Sequence, residues 1–132
     1  MKWLLDTDTV IYYIRAMPTV VRRLEATRAS SRYLSLITLG ELYFGIFRSA
    51  QVEKNRRRYR RFFANVKLLP FTPPIAERFG TVKAELAARG EMITDHDLWI
   101  AAHALVHEAT LVTNNERDFA RIPELRIENW AK

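Results

Sequence analysis

The sequence predicts an α/β fold, a three-layer α/β/α sandwich built around a parallel sheet of short strands. Short apolar segments alternate with helical patterns along the whole chain, which is typical of repeated β-α-β units. No repeat, low-complexity segment or linker interrupts the 132 residues, and this length suits one hydrophobic core. We therefore expect a single domain over residues 1–132.

Five short apolar segments have the composition of strands, and they cover residues 1–5, 32–37, 66–69, 109–112 and 125–127. Helical spacing of apolar residues fills the intervals. Helices are expected from Asp8, from Pro18, from Thr38, over 51–64, after a connector at 70–74, over 96–107 and over 115–121. Asp8 is a plausible N-cap, Pro18 suits a first turn, and Gly90 suits the end of the long fifth helix.

Composition and charge restrict the class of protein. The chain is 48% hydrophobic and 27% charged, which are globular values, and its apolar runs are too short to span a membrane. The first residues contain no apolar signal region, and cysteine is absent, which excludes disulfides and thiolate metal sites. These features lead us to expect a cytoplasmic protein.

The net charge of +6 is concentrated in the segment KNRRRYRR, residues 54–61. A basic surface attracts nucleic acid or an acidic protein partner. A charge run of this kind is also common on the solvated face of an ordinary helix. The segment alone does not distinguish these roles.

Four acids lie where a predicted strand gives way to a helix, or in the first turn of that helix: Asp6, Glu41, Asp97 and Asp118. In a parallel α/β sheet such junctions gather at one edge. We therefore expect an acidic pocket on an otherwise basic protein. Clustered carboxylates repel one another, and Mg²⁺ or Mn²⁺ acting on a phosphodiester would offset that repulsion.

Each acid also has a purely structural interpretation. Asp6 could form a turn, although its place at the end of a buried strand favours the pocket. Thr38 and Glu41 have the spacing of a capping box, which makes Glu41 as plausible a cap as a ligand.

Asp97 belongs to a first turn, where the helix dipole favours negative charge. If Asp95 is the N-cap, Asp97 is free to point at the rim of the sheet. Asp118 follows two asparagines that could cap the next helix, Asn114 and Asn115, so it has a dipole role as an alternative.

Other chemistries are poorly supported. His103 and His107 have zinc-like spacing, but the HExxH base is missing, and we expect ordinary helix residues. The dipeptide His96-Asp97 is too short to be informative. A non-catalytic nucleic-acid-binding module remains the main alternative function. A phosphoryl-accepting signalling domain ranks last because strand 66–71 ends without an Asp.

Four motifs occur in order along the chain: LLDTD, ITLGELYFGI, ITDHDLWIAAHAL and LVTNNERDFARIPELRIENW. Together they resemble the PIN-domain family, and more narrowly the VapC toxins of bacterial toxin–antitoxin pairs. The resemblance implies a PIN-like α/β/α fold and a Mg²⁺- or Mn²⁺-dependent endoribonuclease. It also implies a VapB-like antitoxin as partner, a homodimer, and promoter DNA binding only through the antitoxin.

The resemblance places the first three acidic positions of the family on Asp6, Glu41 and Asp97. Many PIN domains have an Asp where this chain has Asn115, and Asp118 is the nearest carboxylate that could replace it. Thr7 could hydrogen-bond a carboxylate or a phosphate, or only shape the turn. Asp8 stands where related toxins often have Asn, and it adds a negative charge near the pocket.

Overall fold

The computed structural model describes all 132 residues as five strands and seven α-helices, with a short 3₁₀ turn at Ala29–Ser31. None of the helices is long and apolar enough to cross a bilayer. In chain order the elements are β1 (Trp3–Leu5), α1 (Thr7–Ile14), α2 (Pro18–Glu25), β2 (Arg32–Leu34), α3 (Leu36–Phe47), α4 (Val52–Phe63), β3 (Lys67–Leu68), α5 (Pro73–Ala88), α6 (Asp95–Val106), β4 (Thr110–Val112), α7 (Glu116–Phe119) and β5 (Ile127–Glu128).

All strand pairs are parallel, and the sheet order is β3-β2-β1-β4-β5. The first strand is therefore central, with β2 on one side and β4 on the other. Leu4 pairs with Tyr33 of β2 and with Leu111 of β4. Along the chain, β2 and β3 are added successively on one side of β1, and the chain then crosses to β4 on the other side. The strand order therefore reverses between β1 and β4. Open α/β sheets place their ligands at that point.

Alternate residues of each central strand face opposite layers, as the two-residue period of a strand requires. Leu4 and Leu111 belong to a buried cluster with α5, α6 and α7, whereas Leu5, Leu34 and Val112 belong to a second cluster with α1 to α4. These strand side chains are almost fully buried. The α/β/α sandwich and the short-stranded parallel sheet predicted from the sequence are thus confirmed.

Two predicted helix starts are wrong. The first helix is capped by Asp6, whose side chain accepts a hydrogen bond from the Thr7 backbone N–H, so Asp8 lies inside the first turn. The third helix begins two residues before Thr38, with Ser35 as its N-cap. In both cases a polar residue directly after the strand satisfies the helix N–H groups, because the connection is shorter than the sequence pattern suggests.

The second helix begins at Pro18 as predicted, and the other boundaries differ from the predicted ones by at most three residues. The second strand ends at Leu34 instead of residue 37, and the last strand is Ile127–Glu128 instead of 125–127. The fifth helix starts at Pro73, inside the predicted connector, with proline in its first turn. Gly90 follows the end of this helix with φ of 67°, a backbone conformation that glycine adopts without strain.

His103 lies within α6, whereas His107, predicted to be a helix residue, is the C-cap that follows it. Both contact the connector before α5. Their Nε2 atoms lie 3.2 and 2.8 Å from the carbonyl oxygen of Pro70. Burial lowers the pKa of His103 to about 4, so this ring is neutral at ordinary pH. Through these contacts the pair joins the C-terminal part of α6 to the loop after β3.

Candidate active site

Asp6 continues β1 by one residue, opposite Thr113 at the end of β4. Its backbone N–H donates to the Val112 carbonyl at 2.9 Å. The residue is 6% exposed. Its Oδ1 accepts from the Thr7 N–H at 2.9 Å, and its Oδ2 accepts from the Thr113 hydroxyl at 2.7 Å. Burial first, and then the negative charge of Asp8, raise the pKa of Asp6 to about 6. A buried acid therefore lies at the point where the strand order reverses.

Asp8 adds a second carboxylate on the first turn of α1. Its Oδ2 accepts from the Asn114 backbone N–H at 3.0 Å, and its Oδ1 accepts from the Thr9 hydroxyl at 3.2 Å. Burial raises the pKa of Asp8, and the charge of Asp97 acts in the same direction. Asp8 thus ties α1 to the loop after β4 instead of capping its own helix.

Glu41 lies one turn into α3 and faces the start of α1. The capping-box interpretation is wrong, because Ser35 caps this helix and Thr38 is buried within it. The Thr7 hydroxyl donates to Glu41 Oε1 at 2.7 Å, and Nε2 of His96 lies 3.1 Å from the same oxygen. Glu41 is therefore brought to the side of Thr7 and His96 while its side chain stays 44% exposed.

Asp97 points at the rim of the sheet, and its side chain is 17% exposed. Thr94 is the N-cap of α6, so Asp95 is not the cap, although the sequence left that assignment open. Nδ1 of His96 lies 3.5 Å from Asp97 Oδ1. The contact with Asp97, together with the charge of Glu41, raises the pKa of His96 against the opposing effect of burial.

Asn115 joins Asp97 to the fourth acid. Its Nδ2 donates to Asp97 Oδ2 and to Asp118 Oδ2, each at 3.3 Å. Asn115 occupies the N-cap position of α7 without a side-chain cap bond, which leaves its amide free for the two carboxylates. Asp118 also lies 4.0 Å from Arg121, a partly exposed contact of little energetic weight.

Asp95 is separate from this network. Its carboxylate accepts a hydrogen bond from Lys83 at 2.9 Å on α5, and it is 62% exposed. It was a candidate for an additional acidic role, and its contact with α5 makes it a matched control for Asp97, two residues away.

The candidate acids therefore form one chain of contacts. It runs from Glu41 to Thr7 and Asp6 on one side, and from Glu41 through His96 to Asp97, Asn115 and Asp118 on the other. The charges of Asp8 and Asp97 both act on Asp6. Residues that are distant in sequence meet at one edge of the sheet, as the junction argument requires.

Two members of the network were missed at the level of the sequence, Thr113 and His96. Thr113 is the first residue after a buried strand, which is the same signal that singled out Asp6. The sequence gives no comparable signal for His96. Its position in the first turn of a helix does not show which neighbouring helix the ring contacts. Both were found only from side-chain contacts across elements.

The donor chemistry of this pocket fits Mg²⁺ or Mn²⁺. The available groups are carboxylates, with hydroxyl and amide groups around them, and hard divalent cations prefer such oxygen ligands. Burial first, and then the negative charge of Asp8, raise the pKa of Asp6, and a bound cation would offset that negative charge. No three side chains already stand in a ligand arrangement, because the carboxylates are directed to Thr113, Thr7, His96 and Asn115.

We predict that Asn115→Asp destabilises the metal-free protein by roughly 1–3 kcal/mol, because it removes a donor and adds a like charge between two carboxylates. Asn115→Ala loses the donor without adding charge and should cost less. Thermal melting in EDTA and in MnCl₂ measures both changes, and added Mn²⁺ should recover more of the loss in the Asp variant. Equal melting temperatures of the two variants in EDTA would contradict the prediction.

The chain is similar to known proteins over nearly its whole length. Residues 3–125 match the PIN domain. The chain is 38% identical over 130 residues to Ribonuclease VapC2 of Haemophilus influenzae, and 36% identical over 130 residues to the tRNA(fMet)-specific endonuclease VapC of Salmonella typhimurium, with 98% of each chain covered in both cases. A solved structure of DNA-bound VapBC from Salmonella typhimurium matches with a TM-score of 0.91 at 35% identity, covering 98% of both chains.

Proposed function

Because the chain belongs to the PIN-domain family, we propose that it is a metal-dependent endoribonuclease and the toxin of a type II toxin–antitoxin pair. The observation that carries the proposal is the single contact network that joins Asp6, Glu41 and Asp97 where the strand order reverses. The full-length similarity to proteins named VapC ribonucleases supports the choice of RNA as substrate.

In the proposed mechanism Asp6 and Asp97 would hold Mg²⁺ or Mn²⁺, and Glu41 would contact the ion through water or position the attacking water. When bound, the ion supplies charge stabilisation at the phosphate and a lowered pKa for its water. Thr113 keeps Asp6 oriented, and Asn115 keeps Asp97 oriented, each through a hydrogen bond to one carboxylate oxygen. Residues that donate hydrogen bonds to ligating carboxylates are the usual outer support of a metal site.

Asp118 has a conditional role in this mechanism. The Asn115 amide donates to both Asp97 and Asp118, so Asn115 connects Asp118 to the proposed ligand Asp97. Asp118 would serve as a ligand only if it were free of Asn115, and otherwise it would add negative charge that favours a cation. Thr7 supports the site from the other side, through its hydrogen bond to Glu41.

We propose that arginines and lysines around the rim bind the RNA backbone, which gives affinity without choice of sequence. Selectivity would come from the shape of a single-stranded loop. The basic helix α4 is open to either RNA or an acidic antitoxin segment. Two of its arginines already make internal contacts: Arg58 donates to the Ile14 carbonyl at 2.9 Å, and Arg56 lies 5.4 Å from the centre of the Phe47 ring.

The partners in the proposal are a VapB-like antitoxin and a second copy of the chain, with promoter DNA bound only through the antitoxin. The DNA-bound VapBC structure from Salmonella typhimurium supports the antitoxin. The exposed apolar residues Leu36, Phe44 and Phe47 of α3 provide surface that protein partners commonly cover. We also propose that residues 1–132 form a single nuclease domain and that the protein is cytoplasmic.

The decisive experiment uses the purified protein and a labelled stem-loop RNA. Cleavage should occur with MnCl₂ or MgCl₂, stop in EDTA, and return when the cation is restored. In cells, expression should arrest growth and degrade RNA, and co-expression of a neighbouring antitoxin gene should prevent both. RNA that is bound but left intact under every metal condition would instead support the non-catalytic binding module.

A further inference from the structure

His96 lies between two carboxylates that come from different helices. Its Nε2 is 3.1 Å from Glu41 Oε1 on α3, and its Nδ1 is 3.5 Å from Asp97 Oδ1 on its own helix. The Nε2 atom is buried and makes no aligned hydrogen bond. It has no partner other than Glu41, whose carboxylate lies within reach. The side chain of His96 is 31% exposed, so the ring is only partly shielded from solvent.

Glu41 is the proposed metal-site residue that most needs support. Its side chain is 44% exposed, whereas that of Asp97 is 17% exposed and Asp6 as a whole residue is 6% exposed. A long exposed side chain loses rotational freedom when it is fixed, and that loss opposes metal binding unless other contacts have already restricted it. The observed contacts of Glu41 come from the Thr7 hydroxyl and from the His96 ring.

The position of His96 follows from the start of α6. Thr94 caps this helix, so residues 95 to 97 form its first turn and their side chains point in three directions. Asp95 reaches Lys83 on α5, Asp97 faces the sheet rim, and His96 is directed at α3. The same cap therefore places a carboxylate in the pocket and a ring against the neighbouring carboxylate.

We propose that His96 is a positioning residue that fixes Glu41 beside Asp97 and thereby sets the affinity of the pocket for a divalent cation. The inference rests on the proposed metal-dependent function and assigns a role to a residue outside the acidic set. Groups that orient metal-binding side chains typically change metal affinity by about 10- to 100-fold when they are removed. Thr7 holds the same oxygen of Glu41, so the effect of His96 alone should lie at the lower end of this range.

The test compares His96→Phe and His96→Gln with the wild type by calorimetric titration of the metal-free protein with MnCl₂. Phe keeps the ring shape without nitrogen, whereas Gln keeps one donor. We expect the Kd for Mn²⁺ to rise about tenfold in the Phe variant and by less in the Gln variant. His107→Phe, a change of the partly exposed histidine at the C-cap of α6, should leave the Kd unchanged. Circular dichroism verifies that each variant is folded.

Cleavage kinetics separate positioning from direct contact with RNA. In His96→Phe the Mn²⁺ concentration for half-maximal rate should rise about tenfold, while the rate at saturating Mn²⁺ stays within about threefold of the wild type. Unchanged or tighter Mn²⁺ binding in a folded Phe variant overturns the inference. So does a loss of rate at saturating Mn²⁺ without a change in Kd. A wild type that binds Mn²⁺ but cuts no RNA refutes the proposed function alone, because the Kd comparison still tests His96.

Discussion

Asp97→Asn should reduce RNA cleavage at least about a thousandfold, which corresponds to roughly 4 kcal/mol of lost transition-state stabilisation. The substitution keeps the size of the side chain and its place in the first turn of α6, but it removes a proposed metal ligand. It also brings a second amide against Asn115, whose Nδ2 now donates to Asp97. Single-turnover cleavage of a labelled RNA at saturating Mn²⁺ measures the effect.

Asp95→Asn is the matched control. It removes the same charge from the same helical turn, but Asp95 pairs with Lys83 on α5 and makes no contact with the pocket. Its cleavage rate should stay within about twofold of the wild type, because an exposed ion pair contributes little. Equal losses in the two variants would point to general charge or stability effects. Full activity of Asp97→Asn would remove Asp97 from the catalytic set.

Asp6→Asn should stabilise the metal-free protein at pH 7.5 and at the same time abolish cleavage. The folded state raises the pKa of Asp6 from 3.8 to about 6, a shift worth about 3 kcal/mol. Folding therefore disfavours the charged carboxylate, and stability that is present below pH 4 is lost as the pH rises to about 6. Asn carries no charge, so the variant avoids this loss of stability. It no longer accepts the Thr113 hydrogen bond at the position of Oδ2, and that loss offsets about 1 kcal/mol of the gain.

The measurement is the free energy of unfolding of both proteins in EDTA between pH 4 and 7.5. The advantage of Asp6→Asn should grow by about 3 kcal/mol across this range and reach roughly 2 kcal/mol at pH 7.5. Mn²⁺ at about 100 times its Kd should return about 2.7 kcal/mol to the wild type and little to the variant. A difference between the proteins that does not vary with pH would contradict the raised pKa.

The sequence was sufficient to place the acids at one edge of the sheet. Asp6 directly follows a buried strand, and Asp97 lies in the first turn of a helix beside the sheet. In a parallel sheet these positions converge whatever the length of the intervening segments, so the convergence could be predicted without knowledge of strand order. The reversal of strand order between β1 and β4 required the structure.

Helix caps were less predictable, because several polar residues compete within two or three positions. Asp6 caps α1 although Asp8 matched the pattern, and Ser35 caps α3 although Thr38 and Glu41 had capping-box spacing. Which polar residue becomes the cap depends on where the preceding strand ends. The end of that strand is set by pairing with strands that are distant in sequence. The contacts of His96 with Glu41 and of Asn115 with two carboxylates are long-range in the same sense.

The central place of β1 has a consequence for the synthesis of the protein. Asp6 precedes by more than 100 residues the strand that flanks it on one side and the Thr113 hydroxyl that orients it. A growing chain therefore has no finished pocket until β4 and Thr113 have been synthesised. Any activity of this pocket must wait until β4 has paired with β1.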